Sequence, residues 1–146
     1  MKKPIVTWHI EKNNQLENID EKYFAGSFSP SNTEIVLNVQ VWNNRWGQET
    51  VETIESSRLI ICFGSLEDSK LLDLCEVRID NRSYQPVEVV NGKGFVDLSR
   101  ELSGAANSGT SSAIKNFAKI EVKFNIADVA LKNGIKNMFL DLEYLI

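Results

Sequence analysis

Glu34-Ile35-Val36-Leu37-Asn38-Val39-Gln40-Val41-Trp42 is the stretch whose reading decides the fold. Ile35, Leu37, Val39 and Val41 fall on one side of an extended chain. Glu34, Asn38 and Gln40 fall on the other, with Val36 and Trp42 as exceptions. Successive side chains of a strand point to opposite faces, so this period of two marks a half-buried β-strand. A second apolar run, Arg58-Leu59-Ile60-Ile61-Cys62-Phe63, lies beyond the segment Asn43-Asn44-Arg45-Trp46-Gly47. It is nearly all apolar and bounded by Ser57 and Gly64, which predicts a strand covered on both faces.

Outward from this pair the same grammar repeats. Residues 5–10 and 23–28 read as strands, separated by a polar, Asn-rich loop at 11–21. Residues 72–79 read as a strand with Cys75, Val77 and Ile79 on one side. Residues 84–90 read as another, and Pro86, which lacks an amide donor, places it at a sheet edge or strand start. Asn91-Gly92 between two alternating runs predicts a hairpin. Residues 119–126 alternate, and so do 137–146, the latter with Met138, Leu140, Leu142, Tyr144 and Ile146 inward. Residues 51–55 alternate weakly and read as loop or short strand, and 99–102 and 127–131 as single helical turns. The small-polar run 103–112 has nothing to bury and reads as a mobile loop projecting from the sheet. About nine short strands with no long amphipathic helix predict one all-β domain over residues 1–146. Its expected form is a single antiparallel β-sandwich, Ig-like or jelly-roll-like, with at most short helical turns.

The 146 residues suffice for a sizeable core without a disulfide or metal. A net charge of −4 and a pI near 5.1 argue against nucleic acid as a partner. No apolar run has the length of a membrane span, so no membrane partner is expected. The Met1-Lys2-Lys3 start is interrupted by Glu11 and Lys12 too soon for a signal-peptide core. The expectation is synthesis in a reducing cytoplasm, with Cys62 and Cys75 as reduced, buried small hydrophobes; the alternative is a disulfide between neighbouring strands.

No glycine-rich phosphate loop, nucleophile triad or metal-ligand cluster is present, so no enzyme, cofactor or metal is expected. His9 is the one histidine and lacks a second histidine as partner, which reads as structural. Trp42, Asn43, Asn44, Arg45 and Trp46 form the segment with binding character: two indoles, two amides and a guanidinium in succession. Tryptophan and arginine dominate interface hot spots, and exposed aromatics with neighbouring amides also suit sugar rings. The competing reading puts Trp42 in the core and Trp46 as a cover over the end of the sandwich.

The run from Phe24-Ala25-Gly26 through Val36-Leu37-Asn38-Val39-Gln40-Val41-Trp42-Asn43-Asn44 resembles Ig-like or jelly-roll modules of tailed-phage virion proteins. The resemblance implies a non-enzymatic structural or accessory subunit of a head, tail or baseplate, incorporated in a virion. It implies other structural proteins, or further copies of this chain, as partners. The alternative is a carbohydrate-binding β-sandwich module with a glycan as ligand.

Overall fold

The decisive stretch forms β4 (Glu34–Asn43), a ten-residue strand near the middle of a six-stranded sheet. The computed structural model describes residues 1–13, 15–19, 23–28, 34–65, 68–125 and 134–146. The other strands are β1 (Val6–Lys12), β2 (Gln15–Ile19), β3 (Tyr23–Phe28), β5 (Ser56–Phe63), β6 (Cys75–Ile79), β7 (Gln85–Pro86), β8 (Glu88–Val90), β9 (Lys93–Asp97), β10 (Phe117–Asn125) and β11 (Gly134–Leu145). They form two antiparallel sheets, in the orders β2-β1-β4-β10-β6-β7 and β3-β11-β5-β9-β8. The chain passes repeatedly from one sheet to the other, and the architecture is an all-β sandwich.

The inner faces close on one another. Leu37, Val39 and Val41 of β4, with Ile120, Val122 and Phe124 of β10, meet Leu59 and Ile61 of β5 and Met138, Leu140 and Leu142 of β11 in one buried cluster. Register fixes which residues enter it. Val39 lies opposite Ile120, which lies opposite Ile79, and Leu37 opposite Val122 and then Val77. A slip of one residue would turn all of these outward, so burial itself pins the pairing.

Several expectations are corrected. Residues 15–19 are strand rather than loop: β2 pairs with β1 across a turn in which Asn13 has φ 51°. Strand β5 is covered on one face only. Leu59, Ile61 and Phe63 are buried, whereas Ile60 and Cys62 are partly exposed on its outer face. Cys62 is therefore not a core residue, and Cys75 is; both thiols are free. The predicted strand 72–79 begins as a 3-10 helix, Asp68–Leu74. Leu71 and Leu72 are each 1% exposed. A helical turn can send two consecutive side chains into one core, and a strand cannot.

Residues 84–90 divide between the sheets, β7 pairing with β6 and β8 with β9, with Pro86 on an edge strand as expected. The Asn91-Gly92 hairpin is present, with φ of 51° and 75° as a primed turn requires. Residues 99–102 are not helical: Ser99 has φ 57°, and Leu102 bridges Ile54 through paired backbone bonds of 3.0 Å. Residues Val51 and Ile54 make isolated bridges rather than a strand of their own. At the C-terminus Tyr144 and Ile146 are exposed rather than inward, because β11 outruns the sandwich after Leu142. The expected turn at 127–131 lies outside the described residues.

Candidate functional site

The segment that follows β4 is built on asparagine. Asn43, fully buried, accepts the Ile5 amide at 3.1 Å through Oδ1 and donates through Nδ2 to the Glu52 and Leu102 carbonyls at 3.0 and 3.1 Å. Asn44, in the left-handed region that its side chain tolerates, donates to the Glu49 and Gly104 carbonyls at 2.8 and 2.9 Å. Asn107 donates to the Asn44 carbonyl at 2.7 Å and accepts the Trp46 amide at 3.2 Å. Asn116 donates to the carbonyls of Ser103 and Ala105 at 2.8 and 2.9 Å. These four amides do for an irregular corner what ladder bonds do for a sheet, since buried backbone groups must find partners.

The run 103–112 is thus corrected. It does not project as a loop, because its first half is laced onto the corner. Gly104 and Gly109 are buried, and a Cβ at Gly104 would stand 2.0 Å from the Val51 carbonyl oxygen. Its composition lacks large apolar side chains, but its backbone carbonyls are what the asparagines hold.

On the outer face of β4 an aromatic column stands against this corner. Trp42, 0% exposed, stacks on Phe117 with centroids 4.5 Å apart and meets the edge of His9. The Arg45 guanidinium lies over the Trp42 ring at 5.2 Å and over the Trp46 ring at 4.1 Å. Arg45 also donates to the Gly109 carbonyl at 3.1 Å and to His9 Nδ1 at 3.2 Å. With Nδ1 accepting, His9 carries its proton on Nε2 and donates it to Thr7 Oγ1 at 2.8 Å. Burial first, and then the Arg45 charge, lower the His9 pKa to about 4, so the ring is neutral. His9 serves the corner as an acceptor for Arg45.

Trp46 is the exception in this assembly. It is 61% exposed and sits at φ 59°. Among the described residues, five of the seven non-glycine residues at positive φ are Asn or Asp, which reach that region at little cost; an indole there is strained. The ring is held in place by Arg45 and by Gly109, where a Cβ would lie 1.7 Å from the indole.

Trp46 stands at the rim of a groove of about 680 Å³ across β1, β4 and β10. Asn38 and Gln40 of β4 and Lys119 of β10 line its floor; Gln15 and Leu16 form one wall, and Thr110 and Ser111 the other. Gln40 is fixed from both sides: its Oε1 accepts Trp42 Nε1–H at 2.9 Å, and its Nε2 donates to Glu11 at 2.5 Å. Asn38 and Lys119 are exposed, and among the described residues Lys119 makes no ion pair.

Of the five expected contact residues, Trp42, Asn43 and Asn44 are buried within this chain, which leaves Arg45, partly exposed, and Trp46, exposed, as the accessible members of the segment. Trp42 takes the core-type role, though beneath the outer face rather than between the sheets. Sequence reading missed Asn38, Gln40, Lys119, Thr110 and Ser111. The outward positions of β4 carried a signal, since two amides alternate beside a tryptophan; the arrival of residues 109–111 opposite them had none. Among the described residues, no group of three His, Cys, Asp or Glu could hold a metal, and no helix is long and apolar enough to cross a membrane. No family model matches this chain, and neither a curated protein nor a solved structure matches it.

Proposed function

We propose that this chain is a non-enzymatic β-sandwich subunit of a larger assembly, made in the cytoplasm and docking through the corner that presents Arg45 and Trp46. The observation that carries this reading is Trp46 itself, exposed over 61% of its surface, at positive φ, with its ring held by Arg45 4.1 Å away. A strained backbone around an exposed aromatic contributes nothing to the core, and strain of this kind concentrates where surfaces contact partners. An indole already fixed in place loses little side-chain entropy on docking, which favours affinity. The sequence resemblance of residues 24–44 suggests the virion of a tailed phage as the assembly.

Sedimentation velocity over a wide concentration range, on the parent chain and on Trp46→Ala, tests this. The expected result is concentration-dependent self-association of the parent that Trp46→Ala weakens by about 2 kcal/mol or more, the hot-spot threshold. A parent chain that stays monomeric throughout, indistinguishable from Trp46→Ala, would overturn it.

A further inference from the structure

We propose that the groove floored by Asn38, Gln40 and Lys119 is a binding site for a saccharide chain, with Trp46 as its stacking platform. The inference rests on the reading of Trp46 as a contact residue and names a ligand class for the groove beside it.

Four observations converge. The volume, about 680 Å³, lies within the range of small-ligand sites, roughly 300–1,000 Å³. The lining carries groups that donate and accept at once, the amides of Asn38, Gln40 and Gln15 and the hydroxyls of Thr110 and Ser111, beside three charged side chains. Sugar hydroxyls also do both, so they can match such a surface without a fixed charge pattern. Apolar side chains are scarce, Leu16 and Trp46 alone, so the apolar anchor of a protein partner would find no pocket here. A flat indole is left at the rim, and the C–H groups on one face of a pyranose ring are complementary to its electron-rich π face.

The site is also built before any ligand arrives. Gln40 is locked between Trp42 and Glu11, Trp42 is stacked on Phe117, and Trp46 is held by Arg45, which His9 and the Gly109 carbonyl position in turn. Each side chain so fixed removes an ordering cost that binding would otherwise carry. Charges of both signs share the lining, Glu11 with Arg45 and Lys119, so it does not present a field of one sign. The ligand class is therefore a neutral saccharide, read by hydroxyl contacts and stacking.

The test uses the full chain. A glycan array of neutral and anionic saccharides comes first. The neutral oligosaccharides that bind are then titrated into ¹⁵N-labelled protein while the tryptophan indole signals are followed. Trp8 and Trp42 are 8% and 0% exposed, so the Trp46 indole is the reporter. The expected result is a saturable shift of that signal, with affinity falling at least fivefold in Asn38→Ala and in Thr110→Ala while thermal unfolding of both variants matches the parent. The inference falls if no saccharide on the array binds, if binding is confined to anionic saccharides, or if neither substitution weakens it. Sedimentation of the same two variants separates this outcome from the docking reading. Unchanged association without saccharide binding defeats the groove alone, and saccharide binding by a strictly monomeric parent defeats the docking alone.

Discussion

The middle of β4 and its C-terminal end are held by different physics. At its middle, Val39 and Val41 are 1% and 0% exposed within a core of aliphatic side chains. Two residues further on, Asn43 is equally buried, and its environment is polar: one backbone amide and two carbonyls, all within 3.1 Å. The first region is stabilised by apolar area removed from water, which is nondirectional and tolerates near-isosteric exchange. The second is stabilised by directional bonds that fit one residue type. Such a network adds modestly while complete and costs heavily when one member is lost, because the groups left behind stay buried and unpaired. The core sets that the chain folds as a sandwich; the asparagine corner sets where Arg45 and Trp46 stand.

The largest effect is expected in the core. Phe124 is fully buried and lies edge-on to Phe63 with centroids 5.9 Å apart. Phe124→Ala should lower the unfolding free energy by about 3–5 kcal/mol in denaturant melts, with all probes moving together. Asn43→Ala comes next, at about 2–4 kcal/mol, since three backbone partners lose their bonds together. Hydrogen exchange should show its different character, with faster exchange of the amides of Val51 and Gly104, which meet in this corner. A loss below about 1 kcal/mol with unchanged exchange would show that the corner does not depend on Asn43.

Acid probes the same corner through His9. Its folded pKa, about 4, lies below the unfolded value of 6.5, so the unfolded chain takes up the proton first as pH falls. Stability contributed by neutral His9 is complete above pH 6.5 and is lost as pH falls from 6.5 to about 4. The loss should be about 2 kcal/mol after allowance for solvent screening. Urea melts at pH 7, 5.5 and 4 on the parent and on His9→Gln measure it, and the variant should show a shallower slope across that window. Equal slopes would remove His9 from the account. Trp46→Ala should have the smallest effect on the fold, within about 1 kcal/mol, because the ring is 61% exposed and its loss removes little beyond the stacking on Arg45, while alanine keeps the Cβ at φ 59°. A loss of 3 kcal/mol or more in a melt would instead make Trp46 part of the fold.

Legibility in the sequence followed these two kinds of physics. The alternation of Ile35, Leu37, Val39 and Val41 was readable because burial on one face imposes a period of two, whatever the partner strand. Asn91-Gly92 was readable because a two-residue hairpin demands left-handed residues. Pattern failed where the environment changed along an element. Residues 72–74 look like the start of a strand and lie in a 3-10 helix; Tyr144 and Ile146 continue an inward pattern past the end of the core. The polar run 103–112 looked unable to order itself. It lacks large apolar side chains, and side chains from outside the run, Asn44, Arg45 and Asn116, hold its backbone.

The candidate site divides in the same way. The sequence by itself determined the all-β class and the main strands, since strand period is a local property, and it singled out Arg45 and Trp46 as candidates by residue chemistry alone. Only the tertiary structure decided that Trp42, Asn43 and Asn44 face inward, that Trp46 is held open by Arg45 and Gly109, and that Asn38, Gln40 and Lys119 share a groove with Thr110 and Ser111. Those facts depend on cross-strand register and on contacts between residues more than sixty positions apart, such as Arg45 with Gly109. A local pattern carries no record of them, because the bonds that fix them form only once both sheets have closed on the core.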